Sequence, residues 1–183
     1  SFHTYSANPA NPYIIESHDD PTPVDFDELL TKGTPLNNIW HEELDKFAEG
    51  LQELEDEGVV VLFRPLQEMN GDWFWWSQAS KEKFIEMWRY LFDYYTYEKG
   101  LDNIIWTYTA AHIKEEYTPD STVRPVMYYY PGDEYVDIVG LSAYDRYINP
   151  GNITGYDKLI ATGKPFAFTD IGPNNEFLIF NCF

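Results

Sequence analysis

The stretch Val59-Val60-Val61-Leu62-Phe63-Arg64-Pro65-Leu66-Gln67-Glu68 decides the fold. Residues 59–63 form an unbroken β-branched and apolar run, short enough for a strand and expected to be buried on both faces, as in a parallel sheet. Arg64 and Pro65 end it, and Glu68 follows just beyond. Ahead of it, Trp40, Leu44, Phe47, Leu51 and Leu54 recur at helical steps, and Gly58 closes that run as a capping glycine. An amphipathic helix therefore feeds directly into a strand.

The same unit repeats downstream. Ser80 is placed to cap a helix carrying Phe84, Met87, Trp88, Leu91, Phe92 and Tyr95, and Gly100 ends it. Strands are expected at Ile104 to Tyr108, Val136 to Leu141 and Phe166 to Thr169, with a short helix over Tyr156 to Ala161. The first 38 residues, rich in Pro, Asn and Asp, read as loop with at most a short helix near Phe26, Leu29 and Leu30. Helices alternating with strands specify a parallel sheet with helices outside, either doubly wound or a (β/α) barrel. Glu68, Tyr144 and Asp170 each follow a different strand, which is the barrel's habit. A doubly wound sheet often carries a Gly-rich phosphate loop at its switch point, and this sequence has none.

The expectation is thus one domain over residues 1–183, of the (β/α)8 TIM-barrel type. A whole barrel typically takes about 250 residues, so at 183 this one is expected to be incomplete at both ends. Phe177-Leu178-Ile179-Phe180 is a candidate strand on the closing side.

With 31 acidic and 12 basic residues the net charge is −19, which opposes binding to nucleic acid or anionic lipid and favours a neutral substrate. No run approaches the roughly 18 apolar residues of a membrane span, and the N-terminus lacks a signal-peptide pattern, as expected of processed material. Cys182 is the single cysteine, so neither an internal disulfide nor a cysteine metal cage is expected. His18, His41 and His112 lack metal-ligand spacing, and no cofactor is expected; His112 is placed to line a cleft. Asn152-Ile153-Thr154 is a glycosylation sequon. The acidic residues from Glu49 to Glu57 read as the wet face of their helix.

Aromatic residues make up 18% of the chain, and core packing is the plain reading for most of them. Trp73-Phe74-Trp75-Trp76 invites another: in a loop, after the Asn70-Gly71 turn, these rings are expected to be exposed beside Glu68. Exposed rings stack on the C–H faces of a sugar, and apolar walls raise a carboxyl pKa toward that of a general acid. The competing reading is a surface turn with buried aromatics.

The segment Arg64-Pro65-Leu66-Gln67-Glu68-Met69-Asn70-Gly71-Asp72-Trp73-Phe74-Trp75-Trp76 resembles glycoside hydrolase family 26, chiefly β-mannanases. The resemblance continues through residues 100–106, 130–140 and 163–173, and more weakly through Ser1-Phe2-His3. It implies a (β/α)8 barrel, retaining hydrolysis of β-1,4-mannan, no cofactor and an extracellular setting. Carried over, it makes Glu68 the acid/base and puts Asp170 at the nucleophile's position. It also places His3, Gln67, Trp73, Trp75, Trp106 and Tyr144 at the substrate.

Two residues depart from the family pattern. Asp170 stands where the family has Glu, which withdraws the carboxylate by about 1.5 Å, one C–C bond. Retaining enzymes hold their carboxyl groups ~5–5.5 Å apart and inverting ones ~6.5–9.5 Å, so impaired turnover is expected. Gln67 stands where the family has His, keeping hydrogen bonds but losing charge. The alternatives are a non-catalytic β-glycan-binding protein derived from such an enzyme, and a hydrolase of another β-glycan such as a mixed-linkage glucan.

Overall fold

A computed structural model describes residues 2–3, 7–12, 20, 22–113, 122–144 and 153–172. The strands are β1 (Phe2–His3), β2 (Val61–Arg64), β3 (Ile104–Ala111), β4 (Ile138–Tyr144) and β5 (Phe166–Gly172). The helices are α1 (Phe26–Leu30), α2 (Pro35–Asp56), α3 (Lys81–Asp93), continued by a π turn over Tyr94–Glu98, and α4 (Tyr156–Ile160). His18, Asn152, Cys182 and the candidate strand at residues 177–180 lie outside the described residues.

All five strands run parallel, in the spatial order β1-β2-β3-β4-β5. Each strand lies beside its neighbour in sequence. A doubly wound sheet reverses its order at a switch point, and this one never does, so it curls in the TIM-barrel manner.

Helix α2 begins at Pro35, earlier than the apolar periodicity alone suggests. Thr34 caps it by accepting from the Asn37 amide, and proline suits a first turn where its missing N–H is not needed. Ser80 caps α3 by accepting from the Lys83 amide at 3.2 Å, as its position after the loop predicts. Asn103 joins α2 to the sheet, its side-chain amide donating to the Leu51 and Val59 carbonyls at 3.2 and 3.1 Å.

The sheet's convex face meets the helices and holds the core. Phe63 packs against Phe47, Tyr95 and Trp106, and Trp106 continues into Trp88 and Phe92. Burial on both faces of the 59–63 run is corrected here: Val61 and Phe63 are buried, whereas Val60 and Leu62 are 63% and 43% exposed. The two-residue period sends them to opposite sides, and only the helical side is filled among the described residues.

Candidate active site

The turn after β2 is shaped by backbone that side chains rarely adopt. Leu66 and Glu68 both have positive φ, 50° and 54°, in the left-handed region that costs non-glycine residues on the order of 1–3 kcal/mol. Several hydrogen bonds hold it there. The Glu68 amide donates to the Thr109 carbonyl at 2.8 Å, and the Gly71 amide donates back to the Glu68 carbonyl at 3.0 Å. The Trp76 indole donates to the Gln67 carbonyl at 2.9 Å.

Asn70 is the main clamp. Its side-chain amide donates to the Ala111 carbonyl at 3.0 Å and accepts from the Ala111 amide at 2.7 Å. One side chain thus does for the end of β3 what a neighbouring strand would do. The expectation that the Asn70-Gly71 turn faces solvent is corrected, since both residues are buried. A turn residue that satisfies buried backbone groups has reason to be inside.

Gly71 is required by the ring beside it, because a Cβ there would lie 2.4 Å from the Trp73 ring. Trp73 is half-buried, and its indole nitrogen donates to Glu68 Oε2 at 2.9 Å. Its neighbours Phe74, Trp75 and Trp76 are buried, so the expected exposed cluster is corrected to one partly exposed ring. Trp75 stacks on Phe26, and Phe74 on Trp76 with centroids 4.4 Å apart. Rings of this size bury more area in the core than a loop can otherwise supply.

Asp170 reaches the concave face through a bulge. Leu141 pairs with Phe168 but Ser142 pairs with Asp170, leaving Thr169 as an extra residue. Phe168 packs toward the helical core. The Thr169 methyl lies on the concave side, 2.6 Å from where a Cβ on Gly140 would be, which is why glycine occupies 140. Strict alternation would then send Asp170 back among the helices; the bulge keeps it on the same side as Thr169. There its Oδ2 meets Arg64 Nη1 at 2.7 Å and the Ser142 hydroxyl at 3.3 Å.

Burial raises the Glu68 pKa above the ordinary carboxylate range. Hydrogen bonds from Ser142 and Trp73 oppose this, the charge of Asp170 adds to it, and Arg64 opposes it. The Ser142 hydroxyl donates to Asp170 Oδ2 at 3.3 Å, and the Asp170 charge is close enough to Glu68 to act on its carboxyl. Tyr144 completes the face, 47% exposed, with its ring over Gly172, where a Cβ would sit 2.9 Å from Cδ1.

Glu68, Asp170, Trp73 and Tyr144 therefore share the C-terminal end of the sheet. His3 is laid beside Arg64 in register by β1. Gln67 is buried, with Oε1 lacking a partner among the described residues. Trp75 and Trp106 do not present a ring to the concave face: Trp75 is enclosed in the loop core, and Trp106 points among the helices. Their placement at the substrate is corrected for that reason. Arg64 and Ser142 were not singled out by the sequence reading. Two-residue parity from Leu62 and from Tyr144 would have placed each on the concave face. His112 accepts from the Thr154 amide at Nδ1, at 3.1 Å.

Two carboxyl groups gathered over the strand ends of a parallel (β/α) sheet, one of them half-buried and hydrogen-bonded by an indole, are the equipment of two-carboxylate glycosidases. The chain belongs to glycosyl hydrolase family 26, whose model matches residues 6–181. It is 43% identical over 157 residues to the mannan endo-1,4-beta-mannosidase A and B of Caldalkalibacillus mannanilyticus, covering 81% of this chain and 28% of that protein. It is 42% identical over 177 residues to the mannan endo-1,4-beta-mannosidase of Bacillus subtilis strain 168, covering 90% and 45%. The solved Bacillus subtilis mannanase man26 superposes with a TM-score of 0.74 at 40% identity, over 93% of this chain and 50% of that one. The chain spans half or less of the length of each of these relatives.

Among the described residues no group of His, Cys, Asp and Glu is arranged to hold a metal, and no helix is long and apolar enough to cross a membrane.

Proposed function

We propose that the chain carries the catalytic acids of an endo-acting hydrolase of β-1,4-mannan, acting outside the cell on a neutral polysaccharide. The observation that carries this reading is Glu68, half-buried, raised in pKa and hydrogen-bonded by Trp73, with the Asp170 carboxylate near enough for its charge to act on it. Glu68 donates the proton to the leaving sugar oxygen, a task suited to a carboxyl that holds its proton above the usual range. Trp73 and Tyr144 offer ring faces to the sugar beside the scissile bond, and His3 and Gln67 supply polar contacts. Asp170 occupies the second carboxylate's place. The named activity of the relatives supports mannan as the substrate.

Release of reducing ends from soluble galactomannan tests the proposal. Loss of that release in Glu68→Ala supports it, and undiminished release in that variant refutes the assignment of Glu68.

One observation favours a second reading, a mannan-binding protein without turnover. Asp170 is a methylene shorter than Glu, and its Oδ2 is held by Arg64. That protein would bind mannan and release no reducing ends, which the same assay combined with a binding measurement distinguishes.

A further inference from the structure

We propose that Asn70 is a positioning residue for Glu68, its side-chain amide joining the turn after β2 to the end of β3 and to residues 122–124 so that the Glu68 carboxyl stays on the Trp73 indole. The proposal rests on the reading of Glu68 as the catalytic acid, although its test does not require turnover.

Asn70 is 1% exposed, and its amide has one acceptor oxygen and two donor hydrogens. All are engaged. Nδ2 donates to the Ala111 carbonyl at 3.0 Å and to the Arg124 carbonyl at 3.2 Å, while Oδ1 accepts from the Ala111 amide at 2.7 Å. The Asn70 main-chain carbonyl in turn accepts from the Arg124 amide at 2.8 Å. Two donors and an acceptor on one short side chain describe asparagine alone. Asp keeps the acceptor and loses the donors, Ser has one hydrogen, and Gln is longer by about 1.5 Å, one C–C bond.

These contacts bear on Glu68 through the backbone. The Glu68 amide donates to the Thr109 carbonyl at 2.8 Å, and Asn70 meets β3 two residues further on, at Ala111. The turn is thus laid along β3 at two points, with Glu68 at the first in its left-handed conformation, φ 54°. Without the second, only its own amide and the Gly71 amide, which donates to the Glu68 carbonyl at 3.0 Å, hold that conformation from within the turn.

Asn70 also stands in the chain between the two members of the carboxyl–indole bond, in which Trp73 Nε1 donates to Glu68 Oε2 at 2.9 Å. Residues 122–124 brace the same turn as well, the Thr122 hydroxyl donating to Asp72 Oδ2 at 2.5 Å. A catalytic group misplaced by about 1 Å can lose on the order of 100-fold in rate, so a brace that touches no substrate is still felt by the reacting atoms.

The test follows the Trp73 indole N–H by proton–nitrogen NMR on the whole chain as pH is varied, in the parent, in Glu68→Gln and in Asn70→Ala. Trp73→Phe assigns the resonance. In the parent it is expected to titrate with Glu68, at a midpoint above the ordinary glutamate value of 4.5, and in Glu68→Gln that step disappears. In Asn70→Ala the step is expected to fall by more than half, while the indole resonance of Trp88, which donates to the Tyr135 carbonyl in the helical core, keeps its parent position. An unchanged step in Asn70→Ala, no step in the parent, or joint displacement of Trp73 and Trp88, the mark of general loosening, overturns the proposal. If the amide spectrum shows that Asn70→Ala is unfolded, Asn70→Ser, which keeps one donor, carries the same measurement with the same outcomes. Galactomannan hydrolysis is assayed in parallel on the parent. No release with the Trp73 step lost in the variant refutes the hydrolase reading and keeps the positioning, while release with the step unchanged does the reverse.

Discussion

Arg64 and Asp170 meet as an ion pair of 2.7 Å although their strands, β2 and β5, are separated in the sheet by β3 and β4. The contact is possible only because the sheet curls, and it ties the two ends of the concave face together. Arg64 is buried and Asp170 partly exposed, so the arginine is the member that depends on the pairing.

Removing the anion should therefore cost more than removing an ordinary surface acid. Asp170→Ala is expected to lose about 3 kcal/mol, the lower end for breaking a buried pair because Asp170 is partly solvated. Chemical denaturation measures it. A loss under about 0.5 kcal/mol, the range of surface substitutions, would mean that the buried guanidinium is satisfied by other groups.

Lengthening the same side chain tests the chemistry. Asp170→Glu should raise mannan hydrolysis on the order of 100-fold if a carboxylate about 1 Å too far limits the rate. Hydrolysis is measured on the chain joined to the remaining half of a relative's barrel, so that an open sheet does not mask the gain. An unchanged rate would show that Asp170 is not the equivalent of the nucleophile.

Glu68 gives a pH dependence of stability with a definite sign. Its folded pKa is raised above the ordinary glutamate value of 4.5, so protonation favours the native state. That stability is fully present below about 4.5 and is lost as pH rises through the folded value. Glu68→Gln keeps the shape without the charge. Its thermal stability should match the parent's at low pH and exceed it at neutral pH; parallel curves across the range would contradict the raised pKa.

Trp73 and Trp88 should behave oppositely. Trp88→Ala opens the helical core and is expected to cost about 3–5 kcal/mol. Trp73→Ala should weaken mannan-oligosaccharide binding at a much smaller cost, since its ring is partly exposed. Calorimetric titration and thermal unfolding of both variants check this. Gly71→Ala should reproduce the binding loss by driving a methyl into the Trp73 ring.

The sequence made the helices and strands legible because their apolar residues repeat at 3.6 or 2 and their ends carry Ser80, Gly58 and Gly100. β2 to β5 fall where the sequence places them, with only their ends moved, whereas β1 (Phe2–His3) falls in the stretch read as loop. The family motif led to Glu68, Trp73 and Asp170 as candidates. What failed was the side of the chain on which polar and aromatic residues lie. Trp75 and Trp106 follow motifs that look ligand-facing, yet their orientation depends on loop path and strand parity, which residue type does not encode. Asn70 looked like a surface turn residue because its role depends on meeting Ala111 from a distant strand. Arg64 looked like a strand terminator for the same reason, its partner being 106 residues away.

The bulge in β5 makes the extra residue, and not the acid, the one the strand can spare. Phe168 pairs with Leu141 and Asp170 with Ser142, so deleting Thr169 alone would restore plain two-residue alternation and leave Asp170 opposite Ser142 on the concave face. What would go is the methyl that crowds position 140. A relative one residue shorter at this point would thus keep its acid in place, and aligning this strand with that of another family member demands matching strand partners before counting residues.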